Sequence, residues 1–290
     1  MRINTNINSM LTNERLTEIN KAIGLAVERL ATGLRVNRSS DDPSGLAISD
    51  KLRTQASSLS QSINNASLGV SLLQIADKAM SEQSNILDVI KQKLIQGSSQ
   101  TTSEQGRKII SSDIVGLLKQ LDQIASQTKY YDKFLLQKDE DSQDKTEKIV
   151  FILGERAENV VEARDGIQAN SAGLAKSSTH TLSSLKTLAN NTDGLSFNDM
   201  QNYMATIDMA LTDLNQYRTD YGAVQQQVES TMRNLVVQKT SILSAESTIR
   251  DANMMDEFAR LKQNLITYEA GTFALAQANM TREGTLSILV

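Results

Sequence analysis

Apolar residues step along this chain by threes and fours, and almost nothing interrupts them. Leu16, Ile19, Ile23, Ala26 and Leu30 make the first run. After a break, Leu52, Ala56, Leu59, Ile63, Ala66, Val70, Leu73, Met80, Leu87, Ile90 and Leu94 make the second, with polar Asp77 and Ser84 on the same stripe. Ile110, Ile114, Leu117, Leu121 and Ile124 follow, then Ile207, Leu211, Leu214, Tyr221, Val224, Val228, Leu235, Ile242, Ala245 and Ile249. A looser run covers Met255, Phe258, Leu261, Leu265, Tyr268, Phe273, Leu275 and Ala276. This period places one apolar stripe on each helix. One proline and 14 glycines leave few places to turn. The expected fold is mainly α: a long coiled-coil helical bundle, a rod, with two helices that approach or exceed about 45 residues, about 70 Å each.

The composition agrees with a thin seam. Aromatics are 4% and Trp is absent. A large closed core normally uses such side chains. The chain has no Cys, which excludes disulfides, thiolate metal sites and Cys nucleophiles. A single His excludes a two-His metal motif, and His180, among Ser178, Thr179 and Thr181, reads as a solvated loop residue. No glycine-rich phosphate loop and no zinc-protease motif is present. The carboxylates fall on polar helix faces, with no shielded cleft to set two of them apart in pKa. No enzyme, cofactor or metal is expected. The net charge is −4 and the basic residues are interleaved with acidic ones, so no nucleic-acid partner is expected. No apolar run reaches the ~18 residues of a membrane span. The opening Met1-Arg2-Ile3-Asn4-Thr5-Asn6 lacks an apolar segment, so export without a cleaved signal peptide is expected.

The breaks carry their own chemistry. Asp42 caps a helix whose first residue is Pro43. Gly97 to Thr102 is a polar turn, and Ser196-Phe197-Asn198-Asp199 opens another helix as a capping box. Lys148–Leu153 and Asn159–Ala163, flanking Gly154–Glu158, read as a small β-hairpin. Lys138–Lys145 is a charged, solvated loop, and Leu174 to Gly194 is rich in Ser, Thr and Asn. Residues 1–38 carry six basic and three acidic groups, net +3; residues 251–290 carry three and five, net −2. The two arms therefore attract. Met200, Met204, Met209, Met254, Met255 and Met280 read as seam filler rather than as an adaptable binding surface. The terminal Leu286-Ser287-Ile288-Leu289-Val290 reads as an assembly contact.

Several stretches resemble bacterial flagellin. They are Ile3-Asn4-Thr5-Asn6, Glu28-Arg29-Leu30-Ala31-Thr32-Gly33-Leu34-Arg35-Val36-Asn37, Asp41-Asp42-Pro43-Ser44-Gly45-Leu46-Ala47-Ile48 and Asn64-Asn65-Ala66-Ser67-Leu68-Gly69. Tyr221-Gly222-Ala223-Val224-Gln225, Ser247-Thr248-Ile249-Arg250-Asp251-Ala252 and Leu275-Ala276-Gln277-Ala278-Asn279 resemble it at the other end. Asp77-Lys78-Ala79-Met80 and Ile86-Leu87-Asp88-Val89-Ile90-Lys91 look most like the epsilon-proteobacterial type.

The resemblance implies a structural subunit that polymerises into the flagellar filament for swimming motility. A hook–filament junction protein of the flagellum is the alternative. It implies N- and C-terminal helices, residues 1–42 and 251–290, paired in an inner layer called D0 and folding only on assembly. Residues 43–250 form a helical bundle, D1, with the hairpin near 148–163. The family's outer domains are absent, which leaves a minimal form. Stripes left open by one chain would be covered by other copies, and a heterologous contact that does not close gives a helical filament. The residues that the resemblance assigns to assembly are Ile7, Leu11, Ile19, Ile23, Leu30, Phe258, Leu265, Phe273, Leu275, Leu286 and Leu289. The implied partners are further copies, sister flagellins, the flagellar cap, hook-associated proteins and an export chaperone. The implied location is the extracellular filament, reached by type III export. Outer Ser177, Ser178, Thr179 and Thr181 are implied O-glycosylation acceptors. The family's toll-like receptor patch reads Leu-Gln-Arg-Val-Arg-Glu-Leu. Here it aligns with Leu87-Asp88-Val89-Ile90-Lys91-Gln92-Lys93, so Asp88 and Val89 replace Gln and the central Arg. Weak or absent receptor recognition is expected, because Val offers none of the charge-assisted bonds of Arg. The simpler reading of Val89 is that it widens the stripe beside Ile86 and Ile90.

Overall fold

The computed structural model describes residues 6–131, 133–137, 149–153, 160–163, 167–175, 180–191 and 195–289, with backbone only for 160 and 281–289. Among the described residues six helices outweigh four short strands; the helices are α1 (Ile7–Thr32), α2 (Pro43–Gly97), α3 (Glu104–Gln127), α4 (Leu182–Ala189), α5 (Phe197–Arg250) and α6 (Met254–Leu289). Four short strands, β1 (Lys129–Tyr130), β2 (Lys133–Phe134), β3 (Val150–Ile152) and β4 (Val160–Glu162), form two antiparallel ladders, β1–β2 and β3–β4. The chain divides into two compact units, Met1–Ser57 with Gln238–Val290, and Ser58–Val237. Both divisions fall inside a helix, within α2 and α5.

The helices start where the sequence offers caps. The Asp42 carboxylate accepts the Gly45 N–H at 2.8 Å, with Pro43 at the first helical position, where its missing N–H costs nothing. Ser196 and Asp199 cap α5 reciprocally, each accepting the other's backbone N–H, at 3.4 and 3.1 Å. Asn253 accepts the Met255 N–H at 3.1 Å and opens α6. At its far end α1 stops on Gly33, whose φ of +73° lies in the left-handed region and whose N–H returns to the Arg29 carbonyl.

In the unit Ser58–Val237 the buried face of α2 is wider than a two-position seam. Leu72, Leu73, Ala76, Met80, Gln83, Ile86, Leu87, Ile90 and Leu94 are all buried, with Ile114, Leu118 and Leu121 of α3 and Tyr203, Ile207, Leu214 and Tyr221 of α5. Asp77, polar on the stripe, sits half-buried and accepts from Arg218 Nε of α5 at 2.9 Å. Burial pushes the Tyr221 hydroxyl pKa well above the usual tyrosine range. The β3–β4 hairpin pairs Val150 with Glu162, Phe151 with Val161 and Ile152 with Val160. Its Phe151 ring lies against Gly69 of α2, where a Cβ would come within 2.8 Å of the ring. The sequence places this hairpin correctly. It gives no warning of β1–β2 or of α4.

The stretch 167–175 is irregular and buried, which is unusual for a connecting segment. Asn170 serves the Gly173 and Leu174 N–H groups within the segment, and side chains reaching in from helices serve others. Asp122, fully buried, accepts the Ser171 N–H at 2.7 Å, the Ser171 hydroxyl at 2.9 Å and Lys186 Nζ at 2.8 Å. Gln83 Nε2 donates to the Leu121 and Ala169 carbonyls, and Asp213 accepts the Ala175 N–H at 3.0 Å. His180 is half-buried with its ring edge-on to Tyr203 at 5.2 Å, so its reading as a solvated loop residue is corrected. The charged loop Lys138–Lys145 lies outside the described residues.

Candidate assembly surface

The unit Met1–Ser57 with Gln238–Val290 is built on α1 and α6, which run antiparallel. Arg29 meets Glu257, Leu16 meets Gly271, and Asn6 Nδ2 donates to the Ala278 carbonyl at 3.0 Å. The seam on α1 follows Ser9, Thr12, Leu16, Ile19, Ile23, Ala26 and Leu30, all buried or half-buried. On α6 it follows Glu257, Leu261, Asn264, Tyr268, Gly271, Leu275 and Ala278. Both are heptad patterns rich in small residues, which lets the backbones approach closely. A Cβ on Gly271 would lie 2.7 Å from Leu16 Cδ2. Glu257, with a side chain 7% exposed, accepts from Arg29 at 3.1 Å and Arg260 at 3.3 Å. A charged group inside an otherwise uncharged seam fixes its register.

The two connections beside this pair are tied together. Leu34 and Asp251 form an antiparallel bridge. Arg35 N–H donates to the Arg250 carbonyl at 2.6 Å, Arg35 Nη2 to the Ile249 carbonyl at 2.6 Å, and Ala252 N–H to the Gly33 carbonyl at 2.9 Å. Glu28 Oε1 accepts from Asn37 Nδ2 at 2.6 Å and Arg38 Nε at 2.9 Å. The backbone N–H groups of Arg38 and Asn37 point at Asp41 and hold its carboxyl below the usual range against a smaller opposing effect of burial.

The expected assembly residues divide into two groups. Ile19, Ile23, Leu30 and Leu275 are half-buried in the α1–α6 seam. Ile7 at 61%, Leu11 at 55%, Phe258 at 51%, Leu265 at 37% and Phe273 at 77% exposure face outward. Leu286 and Leu289 belong to α6, but their side chains lie outside the described residues. The sequence reading missed other outward apolar residues: Met10, Leu25, Val27, Met254, Ile266 and more. Ile266, Phe273 and Met280 stand seven residues apart as an outward ladder on α6. The signal was available as apolar residues off the seam period. The reading of the methionines as seam filler holds for Met200, which is fully buried. It fails for Met209, Met254, Met255 and Met280, which are 47–79% exposed. At these positions the described residues leave the methionine side chain largely open.

In the other unit, α2 carries an outward ladder of the same spacing: Leu68 at 55%, Ile75 at 43% and Val89 at 39% exposure, with Glu82 between. Asp88 is exposed beside it. Ile86 and Ile90 are buried, so Val89 does not extend their stripe. Of the four hydroxyls suggested for glycosylation, Ser177, Ser178 and Thr179 lie outside the described residues. Thr181 caps α4, its Oγ1 accepting the Ser184 N–H at 3.1 Å. Among the described residues no helix is long and apolar enough to cross a membrane.

Comparison with known proteins addresses the family directly. Residues 3–141 match the bacterial flagellin N-terminal helical region and residues 204–289 the bacterial flagellin C-terminal helical region. Flagellins FlaB1 and FlaB2 of Treponema pallidum (strain Nichols) are 31% and 30% identical over 295 and 296 residues, covering 100% of this chain and of each relative. Flagellin A of Helicobacter mustelae is 45% identical over 135 residues, 47% of this chain but 27% of that protein. This partial match gives the narrower epsilon-proteobacterial resemblance weak support. The full-length relatives carry flagellin names, and nothing favours the hook–filament junction reading over them. The chain belongs to the bacterial flagellin family and is a structural subunit of the flagellar filament, not an enzyme.

Proposed function

We propose that copies of this chain polymerise through the outward apolar faces of α1 and α6, with residues 1–42 and 251–290 forming the inner layer and 43–250 the surrounding bundle. One observation carries this reading. Side chains such as Phe273 and Ile7 are more than 60% exposed in a single chain although they are as apolar as a core. Large apolar side chains gathered on the outer sides of two paired helices mark a contact surface. In this reading Ile19, Ile23, Leu30 and Leu275 hold the two helices together, and Ile7, Leu11, Phe258, Leu265 and Phe273 meet neighbouring copies. Leu286 and Leu289 extend that contact to the end of α6. The test is removal of Leu286 to Val290. The shortened chain is expected to reach the medium and to form no filaments; normal filaments would overturn the proposal.

The same faces need cover before assembly, which fits an export chaperone. The chain is exported unfolded by the flagellar type III route. It is added beneath a cap, on a base of hook-associated proteins, and shares the filament with sister flagellins. Ser177, Ser178 and Thr179 are the better O-glycosylation acceptors, since the Thr181 hydroxyl is engaged as a helix cap.

Recognition by a toll-like receptor is weak or absent. Val89 and Asp88 stand on the outer side of α2, where the family's patch has Arg and Gln. Losing the charge-assisted bonds of one central Arg costs a few kcal/mol, or about two orders of magnitude in affinity. A receptor reporter assay on purified monomer is expected to give a response about a hundredfold weaker than for the double variant Val89→Arg/Asp88→Gln. Equal potency of the two would show that other contacts carry recognition.

A further inference from the structure

The methionines sort by environment in a way that chemistry can read. Met80 and Met200 are fully buried, whereas Met10, Met254, Met255 and Met280 are 65%, 47%, 79% and 65% exposed. These four all belong to the unit built on α1 and α6. They stand among the outward residues to which polymerisation is assigned: Met10 between Ile7 and Leu11, Met255 beside Phe258, Met280 one heptad beyond Phe273.

We infer that Met10, Met254, Met255 and Met280 are oxidation sites through which a peroxide switches off polymerisation of the unassembled chain. This rests on the assembly reading above. A thioether lone pair attacks the terminal oxygen of a hydroperoxide. The O–O bond breaks as the S–O bond forms, sulfur loses two electrons, and water or an alcohol leaves with the proton. The product is a sulfoxide, a polar and strongly accepting group in place of an apolar one. In the free chain that oxygen is hydrated and harmless. On a face buried against another copy it has no donor, and burying an unpaired polar group costs enough to weaken association about tenfold or more per site. Assembly therefore protects the same sulfurs that oxidation would use to prevent it. A thiol-dependent methionine sulfoxide reductase reverses the change by taking the oxygen back as water.

The experiment treats free chain and preformed filaments with the same dose of hydrogen peroxide. Oxygen addition at each methionine is mapped by peptide mass spectrometry, and polymer formation is followed by sedimentation. In the free chain Met10, Met254, Met255 and Met280 are expected to oxidise about tenfold or more faster than in filaments, while Met80 and Met200 stay unmodified in both and Met209, exposed in the other unit, serves as a reference outside the α1–α6 faces. The concentration of chain left unpolymerised is expected to rise at least about tenfold after oxidation and to return after reductase treatment. The variant M10L/M254L/M255L/M280L, read against its own untreated sample, should show no peroxide effect. If that variant does not assemble, the reductase arm decides. Equal oxidation in chain and filament, or full polymerisation of the oxidised chain, overturns the inference. Failure of the untreated wild-type chain to polymerise speaks instead against the assembly reading itself.

Discussion

Phe273→Asp is expected to abolish filament formation without changing the folded chain. Phe273 is 77% exposed, so its removal leaves the α1–α6 seam and its helices intact. In a filament the same position would bury a carboxylate with no partner. The lost apolar burial is about 2 kcal/mol, and the desolvation of an unpaired charge adds several more. Every subunit in a polymer meets this penalty, so the concentration needed for assembly should rise at least about a thousandfold. Sedimentation separates polymer from free chain, and circular dichroism reports helix content. Pellets of normal yield from the variant would exclude α6 Phe273 from the contact.

Asp122→Ala is expected to be the most damaging single change inside the unit Ser58–Val237. Asp122 is fully buried and serves three donors, the Ser171 N–H, the Ser171 hydroxyl and Lys186 Nζ. Truncation orphans the first two inside the core and leaves an ammonium, 22% exposed, beside an apolar gap. Breaking a buried pair by removing one partner costs about 3–5 kcal/mol, and the partial exposure of Lys186 places this case near the lower end. The unfolding midpoint should fall by about 6–12 °C for a unit of this size. A calorimetric shift under 2 °C (~0.5 kcal/mol by the same conversion) would show that the 167–175 segment is held by something else.

The two cases show what was legible in the sequence and what was not. Helices were legible because caps and period agree locally: Asp42 with Pro43, and Ser196 with Asp199, need no distant partner. The 167–175 segment was not, because its conformation depends on Gln83, Asp122 and Asp213, none of which lies near it in the chain. Helix α4 was missed for a narrower reason. Its box pairs Thr181 with Ser184, so it lacks the Glu or Gln that usually flags such a start.

The most instructive miss lies in α6. Beside Leu261, Tyr268 and Leu275, its seam uses Glu257, Asn264 and Gly271, which no apolar scan selects. A scan picks Met255, Phe258, Leu265 and Phe273, and these face away from α1. The strongest apolar signal in that helix marks the surface left open by one chain. The contact made within the chain adds small residues and one charge pair to the apolar positions Leu16, Ile19, Ile23, Leu261 and Leu275.

The tie between the two connections bears on the order in which the molecule can form. Arg29 and Glu257 are 228 residues apart, and Asn6 and Ala278 are 272. Closing a flexible loop of that length costs about 5 kcal/mol in chain entropy before any contact is made. Once the intervening helices are folded, that cost has already been met, and the Leu34–Asp251 bridge holds the starts of both arms side by side. Long-range pairings form slowly for this reason. During synthesis from the N-terminus, α1 has no seam to enter until the last forty or so residues exist. Helix α1 is thus made before α2 to α5 yet finds its partner only after them, and the topology keeps α1 unpaired until α6 has emerged.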